Sequence, residues 1–326
     1  MLFRSEKYVR LVKEMYKEAM TQVRSTVGVT EGFSVEVGLH QGSTLSPYLF
    51  DLVMDVLVRD VKCEAPWSMM FADDIVLCEN NKDELELKLE KWRKALEERG
   101  MKISRSKTEY MVAKDSQEDS HEGIRLQDIL LPPAKRFKYL GSTVQKNGGL
   151  EDEISHRIQC GWLNWRKMSG VLCDKKVSCR MKGKVFKTVV RPAMMYSAET
   201  WAINKAQERK LEVAEMRMLR WMSGVTRLDK IKNEFIRGSV KVGPLSRKIQ
   251  ESRLRWFGHV ERRSENYVGK RVRRLEVPGR RRVGRPKLRW RVKVIEDIKE
   301  KGWRSEEALN REEWKKRIKE GNADPT

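Results

Sequence analysis

An α+β fold at the N-terminal end, giving way to a helical remainder, is what this chain of 326 residues predicts. Three observations carry the prediction. Short apolar runs with β-branched residues alternate with helical periodicities as far as "RFKYLGSTV"; strand signals almost vanish past "KNGGL"; and the excess of basic residues lies wholly in the second half.

The elements follow in order. Tyr8, Leu11, Val12, Met15, Tyr16 and Ala19 recur at helical spacing and predict a helix over 6–20. The stretch "TQVRSTVGVTEGFSVEVGL" alternates and turns at Gly28 and Gly32, which predicts a strand pair. A second helix starts in "STLSPYLF", with Ser46 suited to the N-cap and Pro47 to the first turn, and Leu49, Phe50, Val53, Met54 and Leu57 form its apolar face. In "SMMFADDIVLC" two adjacent aspartates interrupt an apolar run. A buried strand cannot carry two unpaired carboxylates through its middle, so Asp73 and Asp74 are expected at a turn between two strands. There they could be turn residues bonding the local backbone, or hard oxygen ligands for a metal ion. A long helix follows from about Lys82 to Arg99, stopped by Gly100; residues 101–112 read as loop plus strand, 136–144 as a strand, and 151–224 as three helices.

The totals limit the function. Hydrophobic content of 39% is too high for a disordered chain, and no run approaches the roughly 18 apolar residues of a membrane helix. The N-terminus lacks the apolar core of a signal peptide, and the cysteines, five in number, form no CxxC pair. Reduced thiols and an intracellular protein, in nucleus or cytoplasm, are expected. Residues 1–150 hold 23 Lys and Arg against 24 Asp and Glu, which leaves 46 against 23 in the remainder. Such asymmetry points to a polyanionic partner, nucleic acid rather than membrane. Within the basic half, Arg280, Arg281, Arg282, Arg285 and Lys287 form a dense run. Trp256, Trp290 and Trp303 are interleaved with basic residues, as base-stacking or as core tryptophans.

Order separates these readings. "HQGSTLSP", "FADD", "GMKISRSKTEYM" and "FKYLGS" follow one another as motifs B, C, D and E of a reverse transcriptase do. The chain resembles the reverse transcriptases of non-LTR, LINE-type retrotransposons, and among them the RTE-like clade. "GWLNWRKMSGVLCD", "MLRWMSGVTRLD", "LRWFGHVERR" and "PGRRRVGRPK" extend the likeness to the C-terminal region of those polyproteins. The resemblance implies a partial polymerase palm over 1–148, a helical thumb-like region over 149–226 and a basic nucleic-acid-binding region over 227–326. It implies two Mg²⁺ ions at a site that includes Asp73 and Asp74, with Asp73 the stricter ligand, and an RNA template, a DNA primer or target and deoxynucleoside triphosphates as partners. Gln41 and Gly42 match the turn beneath the nucleotide and template. Lys107, or else Lys102, matches the lysine near the leaving pyrophosphate. Phe137, Tyr139, Leu140 and Gly141 match the hairpin that grips the primer end.

The resemblance also implies a third carboxylate, on a motif A strand ahead of motif B. "SEKYVRLVKEMY" matches the helix after that strand, and "MLFRS" before it holds no aspartate. Asp51 and Asp55 are expected on the solvated side of their helix. The chain is therefore expected to begin within the palm and to be inactive alone. A misassigned start, with motif A encoded upstream, and a non-enzymatic nucleic-acid-binding relic are the alternatives.

Overall fold

The computed structural model of the protein describes residues 2–113, 123–275 and 288–321. The chain divides into two compact units, residues 1–103 and 104–326.

The first unit opens with α1 (Leu2–Tyr16), shorter at its C-terminal end than the apolar spacing suggests because the chain turns extended at Met20. β1 (Met20–Thr21) pairs with β4 (Phe33–Ser34), and β2 (Arg24–Ser25) with β3 (Gly28–Val29), both antiparallel. The expected strand pair is thus two short ribbons, one nested inside the other. α2 (Ser46–Leu57) has Pro47 in its first turn. Ser46 does not cap it: the hydroxyl instead donates to the His40 carbonyl at 2.5 Å. Of the expected apolar face, Met54 and Leu57 are buried while Val53 stays exposed.

β5 (Ser68–Phe71) and β6 (Asp74–Leu77) form an antiparallel hairpin, and α3 (Lys82–Glu97) covers it. Asn81 caps α3 by accepting the Glu84 N–H at 2.9 Å. The core joins Met54, Leu57 and Val58 to Trp92 and Leu96, with Met70, Ile75 and Leu77 of the hairpin packed against them. Cross-strand pairing puts Met70 and Ile75 on one face and Phe71 and Asp74 on the other, so the hairpin buries one side only. Lys88 fastens its base. This 8% exposed lysine donates to the Trp67 carbonyl at 2.9 Å, the Cys78 carbonyl at 3.2 Å and Glu79 Oε1 at 2.7 Å. All its donors find acceptors, which is what allows a buried ammonium to persist.

The second unit begins with two hairpins, β7 (Arg125–Leu126) with β8 (Ile129–Leu130) and β9 (Arg136–Tyr139) with β10 (Ser142–Gln145). Residues 101–112 form no strand beyond an isolated bridge from Tyr110 to Pro133. The helices are α4 (Glu151–Lys167), α5 (Ser169–Leu172), α6 (Cys179–Val185), α7 (Arg191–Met194), α8 (Lys205–Met222), α9 (Asn233–Val240), α10 (Leu245–Glu261), α11 (Val268–Arg274), α12 (Trp290–Glu300) and α13 (Arg311–Gly321). Residues 186–190 between α6 and α7 form a π-helical turn, as fits Pro192, which lacks the N–H that would continue the α-helical pattern. One core gathers Ile154, Phe186, Val190, Met194, Leu211, Met218 and Leu219; another gathers Leu254, Phe257, Val294, Ile298, Trp314 and Ile318. All five cysteines are free thiols, and no helix among the described residues is long and apolar enough to cross a membrane.

Gly183 lets α6 approach α9 closely. A Cβ there would lie 1.7 Å from the Val240 carbonyl oxygen. Gly→Ala inside a helix ordinarily stabilises by about 1 kcal/mol. At Gly183 the sign reverses, because the colliding atom is backbone, and we expect a loss of about 1–3 kcal/mol from overpacking. A denaturant midpoint for Gly183→Ala at or above wild type would refute the close packing.

Candidate active site

Asp73 and Asp74 stand at the tip of the β5–β6 hairpin. The register pairs Phe71 with Asp74, leaving a two-residue connection, Ala72–Asp73. Ala72 takes φ 52°, a left-handed conformation that is uncommon for a residue with a side chain. Both aspartates are exposed, and Phe71 beside them is 62% exposed. The turn therefore raises two carboxylates into solvent while Met70 and Ile75 hold its strands to the core. Such local strain clusters at functional sites.

Gln41 and Gly42 lie in the loop before α2, both exposed. Gly42 takes φ 89° with open space about it, so the backbone conformation, and not crowding, requires glycine here. The loop is anchored to α1: the His40 and Tyr16 rings stack at 4.2 Å, and the His40 N–H donates to the Tyr16 hydroxyl at 3.3 Å. Nothing in the spacing of the sequence signalled that contact. Asp51 and Asp55 are exposed on α2, with Asp55 paired to Lys62 at 3.0 Å. Among the described residues, no group of three His, Cys, Asp or Glu side chains could hold a metal ion. Asp73 and Asp74 by themselves do not complete a two-ion centre.

Lys102 falls in the first unit and Lys107 in the second, both exposed. Also in the second unit, Phe137 and Tyr139 lie half-buried on β9, and Leu140 and Gly141 make the turn to β10 at φ 49° and φ 79°. That turn is pinned from behind. Tyr196 donates to the Leu140 carbonyl at 2.7 Å, Arg157 donates to the Gly141 carbonyl, and Glu153 accepts the Thr143 N–H at 2.7 Å. Arg157 also bonds Glu153 at 2.6 Å and lies over the Tyr196 ring at 4.8 Å. An open cleft of about 410 Å³ runs along the hairpin, lined by Arg136, Phe137, Lys138, Thr143, Ser155 and His156 among others. Burial, then the charges of Lys138 and Arg157, hold the His156 pKa below its ordinary value.

The basic run Arg280, Arg281, Arg282, Arg285 and Lys287 lies outside the described residues. The three tryptophans of the basic half differ in setting. Trp290 is half-buried against the second helical core, its indole N–H donating to the Glu199 carbonyl at 2.7 Å. Trp303 meets Trp314 edge-on at 5.3 Å. Trp256, also half-buried but packed against neither helical core, stacks on His259 at 5.2 Å.

Comparison with known proteins bears on this geometry. Residues 3–144 match the family described as reverse transcriptase (RNA-dependent DNA polymerase), and that stretch holds the aspartate hairpin, the Gly42 loop and all of β9. Residues 3–144 are thus similar to reverse transcriptases, and the relatives that follow come from transposable elements. It is 24% identical to a transposon-derived protein of Caenorhabditis elegans, over 71% of this chain and 85% of that protein. It is 24% identical to the RNA-directed DNA polymerase from mobile element jockey of Drosophila funebris, over 79% of this chain and 29% of that protein. It is 27% identical to the retrovirus-related Pol polyprotein from type-1 retrotransposable element R2 of Nasonia vitripennis, over 36% of this chain and 13% of that protein. The chain thus spans most of the first relative and less than a third of the other two. The reverse transcriptase family in general uses divalent metal ions and acts on nucleic acid.

Proposed function

We propose that residues 1–148 are the motif B to E portion of the palm of an RTE-like non-LTR reverse transcriptase, with thumb-like helices over 149–226 and a nucleic-acid-binding region over 227–326. The observation that carries this reading is the hairpin tip, where Ala72 in a left-handed conformation lifts Asp73 and Asp74 out of a half-buried strand pair. Asp73 and Asp74 then supply two of the carboxylates that in-line nucleotidyl transfer needs, and Gln41 and Gly42 border the nucleotide and template. Phe137, Tyr139, Leu140 and Gly141 face the primer end, backed by Tyr196 and Arg157. Lys107 is the acid candidate for the leaving group.

Catalysis on this reading needs a further carboxylate beside Asp73 and Asp74, which none of the described residues supplies. Purified chain of this length is expected not to extend a primer on an RNA template in Mg²⁺. Joining it to an upstream segment that contributes an Asp-bearing palm strand is expected to restore extension. Extension by the chain alone, abolished by Asp73→Ala, would show that the centre is complete without that strand.

A second reading has its own support. The net positive charge lies wholly past residue 150, so a non-catalytic nucleic-acid-binding role would use the helical half alone.

A further inference from the structure

The C-terminal end of α10 carries a group of side chains that the polymerase reading leaves unused. Trp256 and His259, one helical turn apart, stack at 5.2 Å with their planes 13° apart. The other side of His259 meets Tyr267 edge-on at 6.0 Å. Arg263 covers the Tyr267 ring at 5.6 Å and donates from Nε to His259 Nε2 at 3.3 Å. Arg262 donates to the Ala308 carbonyl at 2.6 Å, which brings it to the start of α13, where Arg311 is exposed.

The arginines here differ from several of their neighbours. Nearby, Arg255 pairs with Glu251, Arg273 with Glu261, Arg274 with Glu265, and Arg317 with Glu307 and Glu313. Among the described residues, Arg262, Arg263 and Arg311 pair with no carboxylate. Their mutual crowding has electrostatic consequences. Burial and then Arg311 lower the Arg262 pKa, and burial followed by Arg263, Arg262 and Arg311 lowers that of His259. Like charges left together without a counter-charge destabilise the folded chain by themselves, and a bound anion would relieve them. A solvated basic face would not explain why aromatic rings are layered among the same residues. An aromatic clasp holding α10 to α11 would not explain why Glu261 and Glu265, beside Arg262 and Arg263 in the chain, pair with Arg273, Arg274 and Lys270 and not with them.

We propose that the Trp256–His259–Tyr267 stack, with Arg262, Arg263 and Arg311, is a binding site for single-stranded nucleic acid. The arginines take phosphates, and the partly exposed Trp256, packed against neither helical core, offers a surface on which an unpaired base stacks. A duplex hides its base faces, which favours the single strand. The proposal rests on the reading of residues 227–326 as a nucleic-acid-binding region, but the site needs no polymerase activity and is independent of the reading of Asp73 and Asp74.

The test uses the full chain and a fluorescently labelled oligo-uridylate, with binding followed by anisotropy across a salt series. Arg263→Gln with Arg311→Gln should make the log–log salt slope shallower by about 1.4, two phosphates at about 0.7 each. Trp256→Ala should weaken binding about tenfold with the unfolding midpoint unchanged, and Trp256→Phe should recover part of the loss. Removing two charges elsewhere, Lys175→Gln with Lys176→Gln, should have the smaller effect. The proposal is overturned if the double arginine variant binds within about twofold of wild type at every salt concentration. Equal losses from the lysine and arginine pairs would also overturn it, by showing only the general field of a basic protein. So would loss of binding to anionic lipid vesicles on the same arginine substitutions with RNA affinity intact, because the partner would then be a membrane. Primer extension, read separately, reports on the polymerase reading alone.

Discussion

Glu215→Ala destabilises the helical unit by about 3–5 kcal/mol, the largest stability effect expected of any substitution described here. Glu215 of α8 is fully buried. Its Oε1 accepts from Arg191 Nη2 at 2.6 Å and Nε at 3.1 Å, and its Oε2 accepts from Arg237 Nη1 at 2.7 Å. Both guanidinium groups also donate to the Gly243 carbonyl, at 2.5 Å and 3.1 Å, so one anion and one carbonyl hold two nearly buried cations. Taking the carboxylate away leaves two like charges in a low-dielectric interior, where such repulsion is large. Replacing Glu215, Arg191 and Arg237 together by apolar residues of similar volume should cost far less, because no charge is then stranded. Urea unfolding of the single and triple variants measures the difference. A loss below about 1 kcal/mol for Glu215→Ala would mean that water reaches the group and that it is not the buried triad described.

The second large effect concerns catalysis. In an enzyme made active by an added Asp-bearing strand, Asp73→Asn should lower primer extension by more than about 100-fold, since even residues that merely orient metal ligands cost 10–100-fold on mutation. Asp74→Asn should cost less. The geometry distinguishes the two: Asp73 belongs to the two-residue connection at the very tip, whereas Asp74 begins β6 and is paired with Phe71. Amide for carboxylate preserves shape, so a far-ultraviolet spectrum identical to wild type should accompany the loss. Equal activity in wild type and Asp73→Asn would reduce the hairpin to an ordinary turn.

Some of this was legible in the sequence because short-range chemistry determines it. Two aspartates cannot sit in mid-strand, so the turn at 72–73 followed from solvation alone. The charged run from Lys82 and the stop at Gly100 placed α3, and the helical reading of 151–224 placed α4 and α8. Apolar spacing alone would bury Trp221 as well, yet it is 64% exposed while Met222 beside it continues the buried face of α8. Residues 136–144 read as one strand because Leu140–Gly141 is a poor turn signal beside Asn-Gly or Asp-Gly, although both residues take positive φ. The hairpin at Gln127–Asp128 was missed for the same reason. Contacts between distant residues were not legible at all. Arg191 reaches Glu215 across 24 residues, and Lys88 reaches Trp67 across 21, with no periodicity to announce either. For the α10 stack the composition gave a partial signal. Trp256, Trp290 and Trp303 look alike in sequence and are buried to a similar degree, and only packing separates Trp256 from the two seated against the core.

The five strand pairs among the described residues are separate two-stranded ribbons, so each strand has a single strand neighbour. Six of the ten strands, β1–β4 with β7 and β8, are only two residues long, but the four-residue β5 and β6 keep backbone groups directed away from their partner, which is the arrangement that invites edge-to-edge association between copies. Proteins commonly resist such association by mutual charge repulsion. Here residues 1–150 are close to neutral, at 23 basic against 24 acidic residues, and the charge that repels other copies lies beyond them. Colloidal stability of the whole chain is therefore lent to its strand-bearing part by its helical part, and a cut between the two would separate the sticky surface from what keeps it dispersed.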